Sequence, residues 1–196
     1  MDFEKFSEKI FSTLKFLYQK EPLPFSTINF IRGSNQPLHS DTIHFNTIPN
    51  LWMVGVWVAL EDSKKTNGAL RIIPGSHKWG IYDYSHLKLS HPDKIEDGEA
   101  VNYRQYEDFI RQLIKAHGAE EYVAELKKGQ ALIWASNLLH GGIPIVDEKS
   151  TRKSQAIHYF FEGCEKYFHP MFSEPYKGEY AEKWCNEQKN IKTWKA

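Results

Sequence analysis

The chain has 196 residues, of which 41% are hydrophobic and 26% charged, as expected of a globular protein with a full core. Its 25 basic residues equal its 25 acidic residues in number. This balance argues against nucleic-acid and anionic-membrane partners, because both are bound mainly through an excess of positive charge. No stretch reaches the apolar length of a membrane span, and the first residues lack the pattern of a signal peptide. The two cysteines, Cys164 and Cys185, show no metal-type spacing, and we expect a cytoplasmic protein with free thiols.

The first element in chain order is an amphipathic helix, predicted over residues 3–18. Apolar residues recur there at steps of three and four from Phe3 to Leu17, with charged residues between them. The segment from Glu21 to Pro24 is predicted to end this helix, since the residue before a proline avoids helical backbone angles.

Beyond residue 25, short segments rich in β-branched and aromatic residues are bounded by Gly, Pro, Asn or Ser, a pattern typical of strands. The predicted strands cover residues 26–32, 51–60, 69–73, 131–135 and 155–161. A helical insert is predicted over 103–117, where apolar residues fall on one helical face and Gly118 follows. We expect one domain, 1–196, with a helix within 1–20, a β core over 26–161 and an extension over 162–196 whose role the sequence does not predict.

A candidate metal-binding pair stands at His39-Ser40-Asp41. Residues two apart in an extended chain point to the same side, so this imidazole and this carboxylate can reach one metal ion. With a second histidine they would form the two-histidine, one-carboxylate face of non-haem iron(II) enzymes. Nine histidines and eight aspartates predict about 0.4 such pairs by chance. A polar strand end therefore remains an equal alternative on these residues alone.

Position along the chain separates this pair from a second one, His91-Pro92-Asp93. The second pair lies in a polar, proline-containing stretch and is interpreted as a surface loop. His39 instead follows an apolar strand and a glycine turn. The best candidate for the third ligand is His140, which follows a predicted strand and precedes Gly141 and Gly142, where a backbone can run close to a metal. A loop histidine remains the alternative. His158, within the last strand, is interpreted as a core-flanking residue.

A candidate carboxylate-binding residue follows twelve positions after His140. Arg152 carries a guanidinium, which can grip a carboxylate with two parallel hydrogen bonds. Ser154 lies two residues on, on the same side of a strand, and could donate to the same group. The alternative for Arg152 is an exposed side chain in the basic run from Lys149 to Lys153.

Taken together, these residues resemble the phytanoyl-CoA dioxygenase family of iron(II)- and 2-oxoglutarate-dependent oxygenases over residues 26–161. The resemblance is carried by His39-Ser40-Asp41, Trp57-Val58-Ala59-Leu60-Glu61-Asp62, Asn67-Gly68-Ala69-Leu70, Ile73-Pro74-Gly75-Ser76-His77, Gly129, His140 and Arg152. The blocks from Asn67 to His77 are its most specific part. Two departures are that Gly142 stands where the family often has a hydroxyl residue, and that relatives usually have a longer helical region before the core.

The resemblance implies a mainly β fold, a double-stranded β-helix (jelly roll, cupin-like) with flanking α-helices. It implies His39, Asp41 and His140 as iron(II) ligands, Arg152 as the residue that binds the far carboxylate of 2-oxoglutarate, and Trp57 as part of the cosubstrate pocket. The implied activity is a dioxygenase that uses 2-oxoglutarate and O2 to hydroxylate a C–H bond of a small-molecule substrate, with release of succinate and CO2. Asp41 favours hydroxylation, because related halogenases lack this carboxylate. The alternatives are a cupin-like metal enzyme that does not use 2-oxoglutarate and a non-catalytic β-barrel. The sequence predicts neither the substrate nor the oligomeric state. His44 and Arg71 could contact the substrate, but a structural role is the favoured interpretation of each.

Overall fold

The fold is built from two helices and eleven strands within residues 3–84, 86–89, 95–96 and 99–170, which are the residues that the computed structural model describes. The helices are α1 (Phe3–Tyr18) and α2 (Val101–Ala116). The strands are β1 (Pro22–Phe30), β2 (Asn46–Ile48), β3 (Met53–Ala59), β4 (Leu70–Ile72), β5 (Ile95–Glu96), β6 (Glu99–Ala100), β7 (Tyr122–Ala124), β8 (Ala131–Ala135), β9 (His140–Gly142), β10 (Ser154–Phe161) and β11 (Lys166–Phe168). The pair His91-Pro92-Asp93, Cys185 and residues 171–196 of the expected extension lie outside the described residues.

The largest sheet has the strand order β1-β10-β3-β8, and all its pairings are antiparallel. Every residue of β3 is buried, because both faces of this central strand are covered. Val54, Val56 and Val58 pack in a cluster with Ile10 and Leu14 of α1. The alternate residues of the strand face the interior, where a second cluster forms from Trp57, Ala59, Leu70, Trp134, Leu138 and Ala156. The large sheet thus separates the layer under α1 from an interior that holds the candidate site residues.

A second, three-stranded sheet has the order β7-β4-β9, and its pairings are also antiparallel. An isolated antiparallel bridge between His39 and His140 adds the His39 segment beside β9. Two short pairs, β2 with β11 and β5 with β6, accompany these sheets. These antiparallel sheets form the double-stranded β-helix expected from the sequence, which confirms the predicted mainly β fold class.

Helix α2 supports the segment that carries Asp41. Tyr106 and Ile110 of α2 pack in a cluster with Ile43, Ile73 and Leu139. In addition, the Tyr106 hydroxyl accepts a hydrogen bond from the backbone N–H of Ser40 at 3.0 Å. Ser40, which lies between His39 and Asp41, is therefore hydrogen-bonded to α2, the helix that the sequence predicted as an insert.

The main difference from the expected elements lies at β1. The predicted helix over 3–18 matches α1, but the predicted strand begins at residue 26 whereas β1 begins at Pro22, so both prolines belong to the strand. A proline lacks the N–H that a central strand needs, yet it is tolerated at a sheet edge. β1 is an edge strand among the described residues, and its register with β10 shifts between Pro24 and Ser26. The strands β2, β7, β9 and β11 have three residues each, too few to produce a periodic sequence pattern.

Neither described helix combines the length and the apolar character that crossing a membrane would require.

Candidate metal centre

The side chains of His39, Asp41 and His140 converge inside the barrel. One possible ligand atom from each lies within 4.8 Å of the other two, and all three residues are buried. The two histidines face each other because their backbones pair: each N–H donates to the other residue's carbonyl oxygen at 2.9 Å. Their ring centres are 4.6 Å apart. Ser40 is extended, and Asp41 begins a short 3-10 helix, so the carboxylate comes back to the same place as the His39 ring.

Each histidine is oriented by a backbone carbonyl group. The Nδ1 of His39 lies 2.9 Å from the carbonyl oxygen of Pro37, and the Nδ1 of His140 lies 2.9 Å from that of Leu138. Because a carbonyl oxygen only accepts, both Nδ1 atoms carry the proton and donate it. In a neutral ring with the proton on Nδ1, it is Nε2 that carries the lone pair, which is the arrangement that metal-ligating histidines use. The side-chain amide of Gln36 lies 3.2 Å from Nε2 of His39 and donates to it.

The two oxygens of Asp41 have different surroundings. Oδ2 accepts a hydrogen bond from the indole Nε1 of Trp134 at 2.7 Å. Oδ1 lies 3.5 Å from Nε2 of His140. The Nε2 of His158 is 3.8 Å from Oδ2, which is beyond the usual length of a hydrogen bond.

The protonation states suit metal binding at neutral pH. Burial, with smaller contributions from His140 and His44, lowers the pKa of His39 to about 3, so that its ring is neutral. Burial alone would raise the pKa of Asp41, but His140, His158 and His39 together hold it well below its usual range. The cluster therefore offers one carboxylate and two imidazoles, of which the ring of His39 is neutral. Hard oxygen and imidazole nitrogen without a thiolate suit iron(II), so these residues fit that ion.

The cluster forms part of the wall of a cavity of about 290 Å³, which Arg152 also lines. Arg152 is 1% exposed. Its Nε and Nη1 have no hydrogen-bond partner, and it forms no ion pair, within the described part of the chain. Its Nη2 makes one long contact, 3.4 Å, to the carbonyl oxygen of Arg32. Burial lowers its pKa to about 10, which still leaves the group cationic at neutral pH. A buried cation with two unused donors needs an anion, and the cavity is where one can enter.

Trp57 and Ser154 were the other two residues expected near the cosubstrate. Trp57 lines the cavity, and its buried Nε1 has no partner among the described residues. Ser154 is fully buried, and its hydroxyl likewise lacks a partner there. Ser154 does not line the cavity, however, so the structure brings Trp57 but not Ser154 to the cavity surface.

Three more histidines line the cavity: His44, His158 and His169. Burial lowers the pKa of His44 to about 4, and its Nε2 lies 3.3 Å from the hydroxyl of Tyr103. Arg71, the other candidate for substrate contact, instead pairs with Glu121 at 3.1 Å and does not line the cavity.

Sequence reasoning missed Trp134 and assigned His158 only a core-flanking role. Both lie on the inner face of the large sheet: Gly55 of β3 pairs with Trp134 on one side and with His158 on the other. The alternation of β8 and β10 could have indicated that they point inward, but not that they approach Asp41.

The sequence model of "Phytanoyl-CoA dioxygenase (PhyH)" matches residues 9–154. "Phytanoyl-CoA dioxygenase 1" of Oryza sativa subsp. japonica is 28% identical over 179 residues, which are 83% of this chain and 54% of the rice protein. The peroxisomal phytanoyl-CoA dioxygenase of Homo sapiens is 26% identical over 136 residues, 68% of this chain and 36% of the human protein. The chain thus spans about half, or less, of these relatives.

Among solved structures, one match is the epimerase SnoN in complex with Fe3+, alpha ketoglutarate and nogalamycin RO. The match covers 88% of this chain and 66% of the SnoN chain, with a TM-score of 0.52 and 16% sequence identity. At that identity the likeness supports the fold alone. The family match, which extends over most of the chain and contains all three residues of the cluster and Arg152, confirms the resemblance seen in the sequence. The chain belongs to the phytanoyl-CoA dioxygenase family.

Proposed function

We propose that this chain is an iron(II)- and 2-oxoglutarate-dependent dioxygenase that hydroxylates a C–H bond of a small molecule. In this proposal His39, Asp41 and His140 hold the iron, and Arg152 holds the far carboxylate of 2-oxoglutarate. The observation that carries it is the buried guanidinium of Arg152, whose free donors share one cavity with a two-histidine, one-carboxylate cluster.

The donor set explains why a keto acid fits beside the metal. Two imidazoles and one carboxylate occupy one face of an iron(II) ion and leave three positions open. A 2-oxo acid uses two of them, and its second carboxylate can accept hydrogen bonds from the end-on fork of Arg152, which includes the Nη1 that has no partner among the described residues. The Cζ of Arg152 lies 5.0 Å from the ring centre of Trp57, which supports the face of the guanidinium and leaves its edge for the carboxylate.

Part of the cavity wall is apolar. Phe30, Leu70 and Ala156 provide apolar lining around Trp57 and Arg152. In such surroundings a charge-assisted hydrogen bond is stronger than in water. When bound, iron and 2-oxoglutarate supply the oxidation chemistry, in which O2 is used, succinate and CO2 are released and the substrate gains a hydroxyl group. The protein residues bind and orient the metal and the keto acid and shield them from solvent.

The substrate is proposed to be a small molecule rather than a nucleic acid. The cavity lining of the described chain contains one arginine and no lysine, and we assign that arginine to 2-oxoglutarate. A polyanionic substrate would find few cationic partners there. The histidines at 44, 158 and 169 and the ring of Phe45 are among the groups of the lining that can recognise it, by hydrogen bonds and ring contacts.

The test is succinate release from labelled 2-oxoglutarate by the purified chain with iron(II), ascorbate and oxygen, first alone and then across a panel of small molecules. The proposal expects turnover that is abolished in His140→Ala and retained in His77→Ala, because His77 is exposed. Iron binding without 2-oxoglutarate affinity would favour a cupin-like enzyme that does not use the keto acid. Absence of specific metal binding would favour a non-catalytic barrel.

A further inference from the structure

We propose that Trp134 is a positioning residue that orients Asp41 so that one defined carboxylate oxygen faces the metal. The inference rests on the proposed metal site and goes beyond its three ligands. Its basis is the hydrogen bond of 2.7 Å from the indole Nε1 of Trp134 to Oδ2 of Asp41, between two side chains that are 4% and 3% exposed. The indole N–H only donates and does not ionise in the ordinary pH range, so Trp134 keeps this donor throughout that range.

The bond assigns different roles to the two oxygens of Asp41. Oδ2 is directed at Trp134, whereas Oδ1 lies 3.5 Å from Nε2 of His140. Oδ1 is therefore the oxygen that lies beside Nε2 of His140. The Trp134 ring also packs against His140, with ring centres 4.5 Å apart. The Trp134 side chain thus positions Asp41 by a hydrogen bond and the ring of His140 by packing.

Gly55 provides the space for this arrangement. It pairs with Trp134 across β3 and β8. A Cβ atom at Gly55 would lie 2.4 Å from Cε2 and 2.6 Å from Nε1 of Trp134. Glycine weakens a strand interior, and in a buried strand it often marks a close approach of another group. Here the approaching group is the indole edge that carries the donor.

The orientation has a consequence for the open positions of the metal. A carboxylate that is free to rotate can bind a metal through both oxygens, and it would then occupy a position needed for cosubstrate or oxygen. Engaging Oδ2 in a hydrogen bond favours binding through Oδ1 alone. Groups that orient metal ligands in this way typically contribute about 10–100-fold to metal affinity.

The test measures metal affinity directly and does not depend on turnover. Mn(II) binding to the metal-free chain is measured by calorimetry for the wild type, Trp134→Phe and the control Trp79→Phe. Trp79 stacks on His117 at 3.9 Å and does not line the cavity, so its replacement should leave the affinity unchanged. Trp134→Phe keeps most of the ring and removes the donor, and we expect affinity about 10–100-fold weaker. Affinity within twofold of the wild type in a folded Trp134→Phe chain would overturn the inference.

A second variant keeps the inference testable if Trp134→Phe folds poorly. Gly55→Ala should displace the indole and weaken Mn(II) binding on its own. If it acts through the indole N–H, Gly55→Ala with Trp134→Phe should bind no more weakly than Trp134→Phe alone. Additive losses, or no loss from Gly55→Ala, would contradict the proposal. If the wild type binds no Mn(II), the proposed metal site is wrong. If His140→Ala abolishes Mn(II) binding but Trp134→Phe leaves it intact, only the proposed role of Trp134 is wrong.

Discussion

The guanidinium of Arg152 lies over the ring of Trp57, with 5.0 Å between Cζ and the ring centre, and both side chains are almost fully buried. This contact stabilises the cation from one face and leaves Nε and Nη1 without partners in the described chain. A buried charge that is only partly compensated is costly in the empty protein. The arrangement is therefore best understood as a site prepared for an anion.

The first prediction is that Arg152→Ala weakens 2-oxoglutarate binding. Truncating one partner of a buried charge pair costs about 2–5 kcal/mol, which corresponds to a loss of roughly 30-fold to several thousand-fold in affinity. The affinity of Arg152→Lys for 2-oxoglutarate should lie between those of the wild type and Arg152→Ala, because lysine keeps the charge but loses the planar fork. Equilibrium binding of 2-oxoglutarate to the metal-loaded chain without oxygen measures this. The control is Arg111→Ala, which removes an exposed arginine paired with Asp108; equal affinity in Arg152→Ala and this control would refute the assignment.

The second prediction concerns the metal ligands. His140→Ala should remove most Mn(II) or iron(II) affinity, and with it the rise in unfolding temperature that bound metal gives. His158→Ala is the matched comparison inside the same cavity. Its Nε2 is 3.8 Å from Asp41, and it is not among the three residues whose ligand atoms converge. His158→Ala should lose much less metal affinity than His140→Ala. A larger loss in His158→Ala than in His140→Ala would contradict the proposed ligand set.

How far the sequence predicts this site depends on the kind of information each residue carries. His39 and Asp41 were found because a spacing of two in an extended chain places both side chains on one side, and His140 because glycines follow it. Their convergence required the pairing of His39 with His140, which joins segments a hundred residues apart. No local pattern reports such a pairing, and only the family resemblance suggested it.

Trp134 and the prolines of β1 show what local patterns leave out. Alternation in β8 predicts that Trp134 faces inward, but its contact with Asp41 depends on the register that sets it against Gly55. Pro22 and Pro24 correctly indicate that the helix has ended, but they give no sign that β1 already begins there, as an edge strand of the described sheet, which tolerates proline. In both cases the deciding fact is the position of a strand within the sheet, which is a property of the tertiary structure.

The third prediction is a dependence of stability on alkaline pH. The Tyr18 ring stacks on Phe161 with centres 3.8 Å apart, and burial raises the Tyr18 pKa from 10.0 to about 12. Between these values the unfolded chain has released the phenol proton while the folded chain keeps it. Because the folded state then binds more protons, rising pH favours unfolding, and stability present below pH 10 is lost towards pH 12.

The comparison that isolates this effect is Tyr18→Phe, with Tyr122→Phe as the control, since Tyr122 is 58% exposed. The free energy of urea unfolding is measured for each chain from pH 9 upward. Tyr18→Phe should lose less stability than the wild type as pH rises, whereas Tyr122→Phe should follow the wild type. Parallel curves for all three chains would show that burial of Tyr18 is not linked to its ionisation.

The last prediction tests the glycine beside the distal histidine. A Cβ at Gly141 would lie 2.7 Å from the carbonyl oxygen of Gln36 and 2.9 Å from that of Pro37. Both are backbone atoms, so Gly141→Ala must move β9 away from the segment that leads to His39. Overpacking of this kind typically costs about 1–3 kcal/mol of stability. Metal affinity should fall as well, because the His39–His140 pairing is disturbed. Gly80→Ala is the control, since the nearest atoms to its Cβ would belong to the side chain of Tyr82, at 3.0 Å, and not to the backbone. Unfolding experiments with and without Mn(II) separate the two effects: a chain that is destabilised but gains the full wild-type stabilisation from metal would show that the close approach serves packing alone.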